Sequence, residues 1–449
     1  MSEVPNGWVT APIGDLVTLN PKNQTADDTE AAFIPMNLLG KEYRSVPIYE
    51  TRMWAEIKSG YVHFKNDDVL LAKITPCFEN GKAGIVRALP NGLGAGSTEY
   101  FVCRPHSDSV HPKYLLAFLK TPSFLRDGAM QMTGSVGHKR VPKEYLLGTE
   151  LPLAPFSEQR RIAAKLDTLL ARIDACRDRL DRLPSIIKQF RQSVLAAATS
   201  GKLTGEWREK NQLAKMWEDK SLSTLTAKIT DGEHITPKRS PSGKFLLSAR
   251  NIQNGSIALG NVDYVDDVEF DRIRRRCDPK IGDVLLSCSG SVGRAALVDR
   301  DNYYVMVRSA AMIRPRKELL HPTYLMYCLQ SPALQAQIKE KSSATAQANI
   351  FLGAIKGLVL PVPELPEQSE IVRRVEALFA FADRIEVRVS IVRTRVDTLT
   401  SATLAKAFRG ELVLQDPNDE PASVLLERIR SERSATPTPP RTRSTSRAK

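Results

Sequence analysis

The sequence predicts an α+β protein: two tandem mixed α/β domains, separated and followed by long helices that pair as a coiled coil. Three observations carry that expectation. The chain repeats itself once, each copy opens with short strands and Gly-rich loops, and each copy closes with a long apolar seam. Trp8 recurs as Trp217, Glu158-Gln159 as Glu367-Gln368, Gly148 as Gly357 and Gly201 as Gly410, every pair 209 residues apart. Solenoids and propellers repeat every ~20–50 residues. A period this long marks two copies of a whole module.

The first part of each copy covers residues 1–150 and 213–357. Asp68-Val-Leu-Leu-Ala and Asp283-Val-Leu-Leu-Ser follow turn residues and read as buried strands. A Gly-rich loop and a second strand come next, GKAGIV at 81–86 against GRAALV at 293–298. Then come Arg104-Pro105 against Arg314-Pro315, and helices opening at His111-Pro112 and His321-Pro322. Across this stretch the offset drifts to 215, 212 and 210 before returning to 209, so insertions fall in loops. Gly94-Ala95-Gly96 is expected in a loop, as a turn.

The second part of each copy, 151–212 and 358–413, aligns without a gap. LPLAPFSEQRRI and LPVPELPEQSEI place prolines before a helix start, with Ser157 and Glu158 as candidate caps in the first. The first seam is Ile162, Leu166, Leu169, Ile173, Leu180, Leu183 and Ile187, with Cys176, Phe190 and Val194 in the same phase. Its counterpart is Ile371, Val375, Leu378, Ile385, Val389, Val392, Val396 and Leu399, with Ala382 in phase. Steps of three and four sustained this long give ~3.5 residues per turn, the period of a coiled coil. The alternative, amphipathic helices lying on globular cores, would show a broader face. Pro184 implies a kink or a two-segment helix, and the unbroken phase of the seam favours the kink. Gly201 and Gly410 stand where left-handed stops are needed. At 1.5 Å per residue the first helix would span roughly 65 Å. One turn of B-DNA is about 34–36 Å, so such a rod is long enough to act as a ruler on a duplex.

The chain has 449 residues, 42% of them hydrophobic, which fits globular domains with cores of their own. No apolar run reaches the ~18 residues of a membrane span, and the amino terminus lacks a secretory pattern. The six cysteines form no CxxC pair and read as reduced core residues of a cytoplasmic protein. A net charge of +13 suggests a polyanionic partner. Residues 414–449 read as a basic, disordered tail, most clearly in the Pro/Ser/Thr-rich stretch from Ser434.

Catalytic patterns are wanting. Gly201-Lys202 lacks the upstream glycine of a nucleotide loop, and Gly290-Ser-Val-Gly293 fails the spacing of a serine nucleophile. Asp27-Asp28, Asp67-Asp68 and Asp266-Asp267 have turn-like flanks that favour a solvated role over a metal site. No Asn-Pro-Pro-Tyr-type tetrapeptide of an amino-methyltransferase occurs. No metal site is expected, and the residues describe a binding protein rather than an enzyme.

Over residues 7–412 the chain resembles the specificity (S) subunits of type I restriction–modification systems. The resemblance rests on the two duplicated helix starts, the run SVLAAATSGKLTGEW at 193–207 and the GDVLL strand at 282–286. It implies two target-recognition domains, each reading one half of a bipartite double-stranded DNA target, and two helical regions paired as an antiparallel coiled coil. It also implies two methyltransferase (M) subunits docked on those helices, with restriction (R) subunits joining through M. No cofactor is implied for this chain; S-adenosylmethionine, ATP and Mg are expected on the partner subunits. The two α/β domains have diverged, so the target should be asymmetric. Base reading favours Arg, Lys, Asn and Gln on loops facing the major groove. The candidates in the first domain are Lys73, Thr75, Asn80, Lys82, His138, Lys139 and Arg140. In the second they are His234, Lys238, Arg239, Arg250, Asn251, Ser289, Arg294, Gln347 and Asn349. Two other readings remain: a solitary or detached DNA-recognition module, and a coiled-coil scaffold that binds no DNA.

Overall fold

A computed structural model describes residues 4–106, 108–135, 137–212, 217–342 and 348–435. The chain forms two compact units: the first, discontinuous in sequence, is Met1–Asp181 with Ile391–Lys449, and the second is the continuous stretch Arg182–Ser390. Each unit holds one α/β module and a stretch of both long helices.

In the first unit the run after Asp68 forms the strand Val69–Ala72, with all four side chains buried. It lies inside an antiparallel sheet ordered Val17–Leu19, Tyr100–Pro105, Val69–Ala72, Ala83–Ile85. Val69 and Leu71 enter one core cluster and Leu70 another, because alternate side chains leave opposite faces of a strand. Both faces are covered, and the run is therefore apolar throughout. A second sheet is ordered Glu50–Met53, Glu30–Ile34, Leu93–Gly96, Val62–Lys65, with its middle pair parallel. Gly94-Ala95-Gly96 is thus a central strand, not the turn that its composition suggested. A Cβ on Gly94 would sit 2.4 Å from the Ala32 carbonyl oxygen and from the Phe64 ring, so close packing, not turning, demands the glycine.

The second unit repeats this plan. The strands Thr226–Asp231, Ala310–Pro315, Val284–Ser287 and Ala295–Leu297 form an antiparallel sheet in the same relative order. Asp263–Val265, Lys244–Leu247 and Tyr304–Met306 form a smaller sheet, again with one parallel pair. Each module is closed by a short antiparallel ribbon, Val9–Pro12 with Glu150–Leu153 and Glu218–Ser221 with Val359–Val362. Helices Pro112–Leu119 and Pro322–Gln330 start with proline at the first turn, where no amide hydrogen is needed.

The long helices are Phe156–Thr199 and Leu365–Ala407. The first runs through Pro184 without a break, which removes the two-segment reading. Gly201 (φ +76°) and Gly410 (φ +72°) follow the helix ends in the left-handed region. Ser157 lies within the first turn of its helix and Glu158 faces inward to Trp8, so this pair does not act as the expected cap.

The helices run antiparallel within each unit. In the first unit Arg177 pairs with Asp397 and Asp181 with Arg393. In the second, Arg191 meets both Asp383 and Glu386. Ile162, Leu166, Ile173, Ile187, Ile371, Val375 and Val396 are buried. Leu169, Leu180, Leu183, Leu378, Ile385 and Val389 are half-buried. Val392 and Leu399 do not join them; they are 43% and 47% exposed. Toward its C-terminus the second helix instead buries Val396, Leu404 and Ala407 in the core of the first module. That face follows the 3.6-residue period of a straight helix on a globular core, and it leaves position 399 outside.

The expected tail from 414 needs a correction. Ala422–Ala435 is a helix, and Ala422, Leu425, Leu426 and Ile429 are buried in the core that contains Ile13 and Leu16. Asp419 holds Arg161 through two hydrogen bonds, and Arg430 pairs with Asp15. Averaging residues 414–449 as one basic segment hid this short apolar face. Residues 436–449 lie outside the described part.

Candidate nucleic-acid interface

The repeated residues prove to be one set of contacts made twice. The Trp8 indole donates to Glu158 at 3.0 Å, and Trp217 donates to Glu367 at 3.1 Å. Gln159 accepts from the His111 amide at 2.8 Å, and Gln368 accepts from the His321 amide at 2.7 Å. Arg104 grips Asp68 through two hydrogen bonds, and Arg314 grips Asp283 the same way. These polar groups tie the start of each long helix and the central sheet into one frame. Each pair is buried or half-buried, so each needs its partner.

Loops at the end of the central strand carry part of the candidate set, Lys73 and Thr75 in one module and Ser289 in the other. In the first module the backbone of Thr133 and Arg140 closes a loop through two hydrogen bonds, and the Thr75 amide donates to Lys139. Lys73, Thr75, Lys139 and Arg140 come together there, with His138 exposed beside them. The Arg140 guanidinium is bidentate on Glu99, at 2.9 and 2.8 Å. That hydrogen bonding holds the Glu99 carboxyl below its ordinary range. Val136 of the same loop lies outside the described residues. Asn80 is exposed, whereas Lys82 turns inward and donates to the Met36 carbonyl at 2.9 Å.

In the second module His234 is exposed and bonds Asp231 at 2.7 Å. Burial works against the Asp231 charge, yet hydrogen bonds from Arg276 and His234 outweigh it and keep the carboxyl below its usual range. Arg239 and Arg250 share Asp263, and the Lys238 amide donates to Glu269. Asn251 is 1% exposed, which takes it away from any base. Its amide donates to the Ala258 and Asn261 carbonyls, and its oxygen accepts from Ser248, so it shapes a turn. Arg294 donates to Gln253 at 3.0 Å. Ser289 bridges Asn349 at a cleft of about 410 Å³ that Arg308, Ser309 and Phe351 also line. Gln347 lies outside the described residues.

Sequence reasoning missed Glu99, Arg308 and Ser309. Glu99 is an acid, so a search for basic and amide donors passes over it. Arg308 and Ser309 precede a buried strand and offer no local pattern. No group of His, Cys, Asp or Glu able to hold a metal ion occurs among the described residues, and no helix there is long and apolar enough to cross a membrane.

The model of the type I restriction modification DNA specificity domain matches residues 5–184 and again 217–390, one match for each module. The chain belongs to that family. Among family members it is 35% identical to the EcoBI specificity subunit of Escherichia coli, covering 68% of each chain. It is 28% identical to the EcoKI specificity subunit of Escherichia coli strain K12, covering 96% of this chain and 97% of that one. The HsdS subunit from Thermoanaerobacter tengcongensis has the same fold, with a TM-score of 0.63 and 18% identity over 91% of this chain. A second solved chain, from a study of complex assembly in a type I restriction–modification system, superposes with a TM-score of 0.70 and 20% identity over 92% of this chain. Duplication is therefore a property of this specificity-domain chain at three levels: residue period, contact set and family match.

Proposed function

We propose that this chain is the DNA-reading subunit of a type I restriction–modification complex. It recognises an asymmetric, bipartite double-stranded target, one half by each module, and directs catalysis that resides in its partners. The observation that carries this reading is one frame built twice with unlike loops. The Trp–Glu, Arg–Asp and His–Gln contacts are kept in both modules. The residues at the loop tips differ: Lys73, Thr75 and Arg140 in one, Ser289, Arg308 and Asn349 in the other. A net charge of +13 suits a phosphate-bearing partner.

Two methyltransferase subunits would dock on the long helices, and restriction subunits would join through them. S-adenosylmethionine would come with the former, ATP and Mg with the latter. The test is methylome sequencing of cells carrying this chain with its methyltransferase, against a deletion of this chain. A bipartite adenine-methylated motif with unlike halves, lost in the deletion, is the expected result. An unchanged methylome with both proteins expressed refutes the reading.

A further inference from the structure

The two modules can be aligned by hydrogen-bond register rather than by sequence, and the alignment singles out one position. In the first module the Lys73 amide donates to Glu99 and the Val141 amide to Lys73, each at 2.9 Å. In the second the Cys288 amide donates to Ser309 at 2.8 Å and the Ile350 amide to Cys288 at 2.9 Å. An isolated bridge joins Ile74 to Arg140 in one module and Ser289 to Asn349 in the other. Arg140 and Asn349 therefore occupy the same backbone site, and Glu99 and Ser309 stand beside them in turn. The frame is shared and its side chains are not.

At this site Arg140 is held in a particular way. Of its five N–H donors, Nε and one on Nη2 go to Glu99, and one on Nη1 goes to the His138 carbonyl. Among the described residues two donors remain, one on each terminal nitrogen, and the side chain is 46% exposed. A pair of terminal guanidinium donors fits the O6 and N7 acceptors of guanine in the major groove. The carboxylate behind it fixes the rotamer, so little freedom is lost on binding. We propose that this shared site determines specificity in both modules: Arg140, buttressed by Glu99, reads a guanine in one half-site, and Asn349 beside Ser309 reads a different base in the other. Glu99 is a positioning residue, since it acts through Arg140.

The inference rests on the DNA-reading function above, and one experiment separates the two. Full-length protein assembled with its methyltransferase subunit selects sequences from a randomised duplex library, as wild type and as Arg140→Ala, Arg140→Lys and Glu99→Gln. Lysine keeps the charge that a phosphate contact needs and loses the fork that guanine needs. The expected result is a bipartite motif for wild type and loss of one guanine preference in one half-site, on the order of tenfold or more, in both Arg140 variants. Glu99→Gln weakens the same position less, and the other half-site stays as it was. Asn349→Arg combined with Ser309→Glu brings a guanine preference into that second half. An unchanged motif in Arg140→Lys, with affinity reduced evenly across sequences in Arg140→Ala, makes Arg140 a phosphate contact and overturns the inference alone. A wild-type complex that enriches no motif overturns the reading of function and the inference with it.

Discussion

Glu367 accepts hydrogen bonds from Trp217, Thr204 and Arg208, whereas Glu158, its counterpart, accepts from Trp8 through one oxygen only. The other Glu158 oxygen is buried with no hydrogen-bond partner among the described residues. Burial lifts its carboxyl above the ordinary range, against the opposing Trp8 bond and Arg161 charge. The fold therefore holds this carboxyl's proton more tightly than the unfolded chain does. Its stabilisation is present at low pH and falls away as pH rises from the ordinary carboxylate value through the raised one. Glu158→Gln should flatten that dependence in thermal melts and change stability by less than about 1 kcal/mol, whereas Glu367→Gln should cost about 1.5–3 kcal/mol. Equal effects of the two substitutions would show that the copies are electrostatically alike. Lys120 provides a second pH test. Burial pulls its pKa from 10.5 down to about 7, and its ammonium donates to the Lys41 and Gly81 carbonyls. The unfolded chain binds an extra proton between those values, so stability rises with pH from about 7 to about 10.5. Lys120→Met should remove that rise; a slope unchanged in the variant refutes the assignment.

Among the elements, the long helices show where a seven-residue pattern stops describing a packed helix. Leu166 is fully buried, so Leu166→Ala should cost about 2–5 kcal/mol in denaturant unfolding. Leu399 is nearly half exposed, and Leu399→Ala should stay within about 1 kcal/mol. A large loss at Leu399 would mean that the helix packs by its heptad after all. The C-terminal helix makes a matching prediction. Ending the chain after Pro421 removes Leu425, Leu426 and Ile429 from the core, and should lower the melting temperature and open the first module to protease. Ending it after Ala435 should do neither.

For the whole molecule, the twofold plan was legible because duplication leaves a period that no local event can imitate. The glycine stops, the strands after Asp68 and Asp283 and the seam short of Val392 and Leu399 were legible for a different reason: each is a local pattern with a single physical cause. The candidate site was only half legible. Lys73, Thr75 and Arg140 do meet at one rim, but Lys82 and Asn251 turn inward, because a loop's composition does not say which way its side chains face. Glu99 lies 41 residues before Arg140, and nothing local announces the pair. DNA affinity should fall steeply with salt while selectivity for the bipartite motif persists, as phosphate contacts supply binding and base contacts supply choice. Selectivity that disappears together with affinity would point to bare charge attraction.

By itself the sequence determined that there are two modules, that buried strands follow Asp68 and Asp283, and where the long helices end, since these follow from period, patterning and glycine conformation. Only the tertiary structure decided that Gly94 and Gly96 are the middle of a sheet, that Ala422–Ala435 completes the first core, and that Glu99 braces Arg140. Those outcomes depend on atoms brought close from distant parts of the chain, and a residue's neighbours in space are not written in its neighbours in sequence.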